Sequence, residues 1–299
     1  MKTIKNEEIM KLHPGFGIQI DKCSFEQITQ NLREHDLVLI RGYDFNQTQF
    51  KDFITEFGPL VANFYSFSQG SAMEMVANEL PNKGEKEVGV IRNKKGYLPL
   101  GGHMYINSGI GTWHYDEVSK NIPGLYYGAI YGAKTLEVGA NTDFISMRLA
   151  FNRLSDGMKQ TLRGLEVINQ NRPLRTWTTK AYNNHKVKFN VEMDCEEVNC
   201  GPIVKKDQMG REFLSFNPRS WVRFAGWSEE ESTPIFDFLT RHCTIPEHTI
   251  RHNYQDGDVV LWCQNTTVHY GVANYDIGYD DRELWHLMFK LKGDSNDNI

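Results

Sequence analysis

The sequence predicts a mainly β chain of the α+β class, with a jelly-roll-type core that carries helices. Strand-like apolar runs resume after each helical stretch, and no Gly-rich dinucleotide or phosphate loop accompanies them. Periodicity alone leaves a generic α+β fold open. The 299 residues suffice for two small domains or one β-rich domain, because barrels and sandwiches often exceed the usual domain size. We expect one domain over residues 1–299.

In chain order, Leu37-Val38-Leu39-Ile40 is a short apolar run closed by Arg41-Gly42-Tyr43, the pattern of a buried strand. Residues 49–57 place Phe50, Phe53, Ile54 and Phe57 on one helical face, and Gly58-Pro59 stops that helix. From about Tyr65 to Gly111 the pattern weakens into a polar, Gly-containing stretch that ends at the candidate ligands described below. Long segments of this kind inside a domain are usually lids or binding loops, so it reads as a lid-like insertion, with a plain surface excursion as the alternative. Within it, Arg92-Asn93-Lys94-Lys95 reads as a solvated loop.

Residues 125–131 are rich in aromatic and β-branched side chains and predict a strand. Met147, Ala150, Phe151, Leu154, Met158, Leu162 and Leu165 fall at helical spacing across Ser155-Asp156-Gly157, where one helix ends and another begins. These are core positions. Ser228-Glu229-Glu230-Glu231 has the form of a capping box and opens a helix whose buried side is expected to carry Ile235, Phe238 and Leu239. Strand-like runs follow at 186–193, 258–263 and 283–291.

Composition narrows the function. Apolar residues make up 40%, charged residues 24% and aromatics 12%, which is globular material with enough for a core. A net charge of −5 and the lack of any Lys/Arg block argue against a nucleic-acid surface. Residues 1–10 contain no apolar signal core, and no run approaches the roughly 20 apolar residues that cross a bilayer. A soluble, cytoplasmic protein without a membrane partner is expected, with a homo-oligomer left open. Five scattered cysteines fit reduced thiols. Cys195 and Cys200 lack the second pair that a structural zinc needs.

The chemistry-bearing feature is His114-Tyr115-Asp116, followed by His269 and Arg282. Of ten histidines, only His114 has an aspartate two residues on. In an extended strand, residues two apart point to one side, so His114 and Asp116 can share a barrel interior while Tyr115 faces away. A third ligand has to come from a distant strand, and His269 follows the run 258–263 after a short polar segment. Two imidazoles and a carboxylate leave one face of a metal open, which points to non-haem Fe(II) oxygen chemistry. A guanidinium fork such as that of Arg282 suits the carboxylate of a keto-acid cosubstrate.

Trp113-His114-Tyr115-Asp116-Glu117-Val118, the segment 138–143, and His269-Tyr270-Gly271 with Arg282 downstream resemble the taurine dioxygenase family of Fe(II)/2-oxoglutarate-dependent oxygenases. Phe57-Gly58-Pro59-Leu60 and Trp227-Ser228-Glu229 fit the same pattern, and the likeness runs from about residue 35 to residue 293. The resemblance implies a double-stranded β-helix core with flanking helices. It implies iron held by His114, Asp116 and His269, and a 2-oxoglutarate carboxylate bound by Arg282 with help from Thr142. The family's Gly-Gly-Asp-Thr is here Gly139-Ala140-Asn141-Thr142.

The implied reaction uses O2, converts 2-oxoglutarate to succinate and CO2, and hydroxylates, desaturates or oxidatively decarboxylates a small molecule. Halogenating relatives lack the carboxylate, and Asp116 is present. The taurine enzymes' second arginine, which grips sulfonate, is replaced by His286; Asn63 and Ile110 replace two further substrate-side residues. A sulfonate without its strong cation is poorly bound. With Tyr105, these positions are the candidate substrate contacts, suited to a less anionic or more aromatic molecule such as an amino-acid-derived intermediate of secondary metabolism. Two other readings stay open on the residues alone: a metal-dependent hydrolase using the same ligands, and a non-catalytic barrel that binds a metabolite.

Overall fold

In the computed structural model, which describes residues 9–61, 84–85, 87–93, 113–116, 124–170, 198–218, 220–272, 274–276 and 280–294, two sheets face each other as a jelly roll. The larger sheet runs in the spatial order β1 (Met10–Lys11), β2 (Ile18–Ile20), β3 (Leu37–Ile40), β14 (Val259–Cys263), β6 (Tyr127–Lys134), β16 (Arg282–Phe289) and β4 (Leu60–Val61), with β5 (Gly89–Asn93) also paired to β16. The smaller sheet is β13 (Thr249–His252), β7 (Thr142–Ser146) and β15 (Thr267–Gly271), extended by an isolated bridge from His269 to His114. Beyond it lie a three-stranded sheet of β12 (Trp221–Phe224), β8 (Glu166–Gln170) and β9 (Val198–Pro202), and a hairpin of β10 (Val204–Lys206) and β11 (Glu212–Leu214).

Alternation along the central strands sorts side chains into two layers. On β14, Val260 and Trp262 point into the jelly roll, where they meet Leu39, Ile130, Leu284 and Phe144 of the facing sheet. Val259, Leu261 and Cys263 point the other way, onto Ile28 and Leu32 of helix α1 (Phe25–His35) and Phe50, Ile54 and Phe57 of helix α2 (Gln47–Phe57). The run is therefore apolar throughout because both faces are buried. Withdrawing each such side chain from water contributes roughly 1.5–3 kcal/mol. Phe144 and Ile145 divide β7 in the same way, with Ile145 packing against Met147 and Phe151 of α3 (Met147–Asn152) and Leu162 of α4 (Asp156–Arg163).

The helices begin where side-chain caps stand. Ser24 with Gln27, and Asn46 with Gln49, form reciprocal capping boxes that satisfy orphan N–H groups at the starts of α1 and α2. Helix α1 ends at Asp36, a buried residue with φ 65°. Its carboxylate is held by Arg148 at 2.7 Å and by the Thr266 hydroxyl at 3.1 Å, which ties the helix end to the turn that delivers β15.

Three expectations need correction. Ser228 caps α5 (Glu229–Cys243) as expected, but the buried positions are Ser232, Phe236, Leu239 and Cys243, whereas Ile235 is only partly covered and Phe238 is exposed. Phe236 wins that face because it stacks on Trp221 and Phe224, with ring centroids 4.2 and 4.5 Å away. The polar stretch after residue 65 is not all loop: Gly89–Asn93 is a strand in register with Arg282–His286. There Arg92 is not a solvated loop residue but an ion pair with Glu283, at 2.7 Å. Val88, just before that strand, is buried in the outer core; apart from residues 84–85 and 87–93, that expected lid lies outside the described residues, as do the strand expected at 186–193 and Cys195. No helix among the described residues is long and apolar enough to cross a membrane.

Candidate active site

Three elements converge at one end of the jelly roll. His269 is the central residue of β15, opposite Phe144, and its N–H and C=O exchange hydrogen bonds with His114 at 2.7 and 2.9 Å. That pairing adds the 113–116 segment as a strand edge, which Asn217 and Tyr126 also hold through the Tyr115 and Asp116 carbonyls at 3.1 Å each. Alternation then turns His114 and Asp116 inward, while Trp113 and Tyr115 pack outward against the second core. The two imidazoles lie with ring centroids 4.4 Å apart. One ligand atom from each of His114, Asp116 and His269 falls within 4.8 Å of the others.

The carboxylate of Asp116 organises this cluster. Its Oδ1 is 3.8 Å from Nε2 of His114, and its Oδ2 is 3.8 Å from Nε2 of His269 and 3.4 Å from Nε2 of His286. Gln264 donates to Oδ2 at 2.8 Å and accepts the Asp116 N–H at 3.2 Å. Burial pushes the carboxyl up, but His269, His286, His114 and the Gln264 amide outweigh it and leave it at about 2. It is thus an anion ready for a cation. Ligands at about 2.1 Å on neighbouring octahedral positions stand roughly 3 Å apart, so small side-chain rotations bring this donor set onto a first-row divalent metal. The residues present fit such an ion.

A second cluster lies further along the same interior. Residues 282, 284, 286 and 288 of β16 share one face, on which Arg282, Leu284, His286 and Met288 are all buried. Arg282 is 8% exposed, and the nearby Asp281 pairs with Lys134 at 3.1 Å. Its guanidinium donates to the Ala140 carbonyl at 3.3 Å and lies over the Tyr275 ring. Ala140 has φ 51°, a left-handed conformation that glycine adopts without penalty. The turn 139–142 therefore keeps a glycine-like shape despite its alanine. Asn141 holds it through hydrogen bonds to Asn253 at 3.1 Å and from Asn274 at 2.7 Å. Thr142, two residues on, faces inward beside Tyr254, whose hydroxyl donates to Thr142 Oγ1 at 3.1 Å.

Sequence reasoning named five residues that these two clusters bring together: His114, Asp116, His269, Arg282 and Thr142. His286, named as a substrate contact, is buried against Asp116 and stacks on Trp262 at 5.8 Å, 21° between planes. Asn63, Tyr105 and Ile110 lie outside the described residues. Gln264 and Tyr254 were missed. Neither had a local signal: the polar run before His269 does not single out Gln264, whose burial beside a carboxylate appears only in the fold.

A jelly roll that gathers two histidines and a carboxylate at one end, with a buried guanidinium further in, defines the class of non-haem metal oxygenases that consume a keto acid. The model of the taurine catabolism dioxygenase TauD, TfdA family matches residues 9–288, and the chain belongs to that family. It is an Fe(II)/2-oxoglutarate-dependent dioxygenase, with 2-oxoglutarate and O2 as cosubstrates. An alpha-ketoglutarate-dependent 2,4-dichlorophenoxyacetate dioxygenase of Burkholderia sp. (strain RASC) is 22% identical over 281 residues, covering 89% of each chain. The alpha-ketoglutarate-dependent dioxygenase cnsM of Penicillium expansum is 24% identical over 277 residues, covering 88% of this chain and 70% of its own. The crystal structure of AAD-2 in complex with Mn(II) and N-oxalylglycine superposes with a TM-score of 0.68 at 17% identity, covering 97% of this chain and 99% of that one.

Proposed function

We propose that His114, Asp116 and His269 hold the iron, that Arg282 and Thr142 bind the distal carboxylate of 2-oxoglutarate, and that the enzyme oxidises a small molecule. The observation that carries this reading is the 4.8 Å cluster of one carboxylate and two imidazoles on the same interior as a buried arginine. When bound, iron supplies oxygen activation coupled to decarboxylation of the keto acid, and the protein supplies position and a dry pocket. Gln264 keeps the carboxylate oriented, and the guanidinium fixes the far end of the diacid. Arg282 and His286 are four residues apart on one strand face, roughly 13 Å, a span that an extended arginine and a five-carbon diacid can fill.

His286 belongs on the substrate side of this reading. At the position where sulfonate enzymes carry a guanidinium, a buried imidazole gives weaker anion binding, which supports a less anionic substrate. An amino-acid-derived intermediate of secondary metabolism is the proposed class, with hydroxylation, desaturation and oxidative decarboxylation as its outcomes. A single domain over 1–299 is supported by one family match running through 9–288. Operation in the cytoplasm is supported by Cys200, Cys243 and Cys263 forming no disulfide among the described residues. Incubation with Fe(II), 2-oxoglutarate and a metabolite panel, followed by measurement of succinate, oxygen uptake and product mass, tests the reading. Succinate release that no candidate stimulates, together with unchanged release in Arg282→Ala, would count against it.

A further inference from the structure

We propose that Tyr254 is a positioning residue for the keto acid, setting the Thr142 hydroxyl toward the distal carboxylate and so favouring a diacid cosubstrate over a keto acid without that group. The inference rests on the reading that Arg282 and Thr142 form the carboxylate cradle. Tyr254 and Thr142 are 3% and 4% exposed, and their hydroxyl oxygens are 3.1 Å apart. Two hydroxyls in contact own two protons and spend one on each other. Whichever donates, one proton is left for an acceptor beside Arg282, and a carboxylate oxygen is such an acceptor. Without an anion, burying that second proton in an apolar interior is costly.

The phenol stays a donor because burial pushes Tyr254 up to about 12, against the opposing pull of the Thr142 hydrogen bond and the nearby Arg282 charge. It therefore adds no negative charge to a site meant for an anion. Its placement is enforced from behind. The ring meets His252 edge to face at 4.6 Å, His252 hydrogen-bonds Asp258 at 3.1 Å, and Arg41 holds Asp258 with two contacts of 2.9 and 3.0 Å. Asp258 also accepts the Gln255 N–H at 3.0 Å, which pins the turn that carries the tyrosine. A phenylalanine would fill the same volume, so packing alone does not call for the hydroxyl.

Calorimetric binding to the Mn(II)-loaded full chain without oxygen tests this, using 2-oxoglutarate and 2-oxobutanoate, which lacks the distal carboxylate. Tyr254→Phe is expected to weaken 2-oxoglutarate binding by roughly two- to tenfold, the range for one net hydrogen bond, and to leave 2-oxobutanoate unchanged. Thr142→Ala is expected to show a comparable loss, with little added in the double variant, because the two hydroxyls act as a unit. Equal weakening of both keto acids, or no weakening of either while Thr142→Ala still loses 2-oxoglutarate, overturns the role of Tyr254 and leaves the cradle standing. If Arg282→Ala and Thr142→Ala both keep the preference for the diacid, the cradle itself fails and the proposal falls with it. Should Tyr254→Phe not fold, Tyr254→Met, which fills irregular space without a hydroxyl, provides the same comparison.

Discussion

Gln264 grips Asp116 at two points: its amide N–H reaches Oδ2 at 2.8 Å, and its carbonyl oxygen receives the Asp116 backbone N–H at 3.2 Å. Both the direction of the carboxylate and the path of the segment bearing it are thereby set by one buried side chain. Gln264→Leu keeps the volume and removes both contacts. Loss of such outer support typically costs 10–100-fold in metal affinity. We expect Mn(II) binding, followed by titration calorimetry, to weaken by about that factor while the circular dichroism spectrum is retained. An affinity within twofold of wild type would show that the carboxylate orients itself.

Removing a ligand tests the centre more directly. His114→Ala and Asp116→Ala are expected to abolish iron-dependent succinate formation. The fold should survive, because the jelly-roll core is built from Trp262, Phe144, Ile130 and their neighbours rather than from the ligands. Full activity in either variant, measured with added Fe(II), would remove that residue from the ligand set.

The parts of the fold that could be read from sequence are those whose cause is local. Leu37–Ile40 reads as a strand because four consecutive apolar residues need two covered faces, and both faces are covered. His114 and Asp116 read as sharing one interior because the period-two alternation of an extended chain is a local property. The buried face of α5 was misread because Ile235, Phe236, Phe238 and Leu239 are all apolar. Which of them face inward is decided by the rings of Trp221 and Phe224 on another strand. Gly89–Asn93 is a strand only because β16 offers it an edge. Helix α1 was legible but unread, since Ser24 and Gln27 have the capping-box spacing. Gln264 and Tyr254 owe their roles to partners more than a hundred residues away.

The acid side of the stability profile follows from the same carboxylate. An ordinary aspartate titrates near 3.9, and Asp116 in the folded chain is held at about 2. The folded state thus binds fewer protons than the unfolded one between those values. The contribution is fully present above about pH 4 and is lost as pH falls through about 2. Metal-free Asp116→Asn lacks this component and is expected to lose melting temperature less steeply than wild type over that interval, by differential scanning calorimetry. Parallel slopes would mean that the surrounding imidazoles do not hold the carboxylate down.

Gly128 on β6 faces the interior, where Trp262 occupies the space a side chain would take. A Cβ there would stand 2.3 Å from the indole ring. That ring in turn stacks on His286 and meets His269 edge to face at 5.4 Å. Gly128→Ala must therefore displace the tryptophan, with overpacking that typically costs about 1–3 kcal/mol. The displacement is transmitted to one of the proposed ligands. We expect a lower midpoint in urea with an unchanged slope, together with weaker Mn(II) binding. Gly128→Ala combined with Trp262→Phe, which frees the space, should recover part of both losses. Recovery of stability without recovery of metal affinity would show that the indole itself, rather than its position, supports His269.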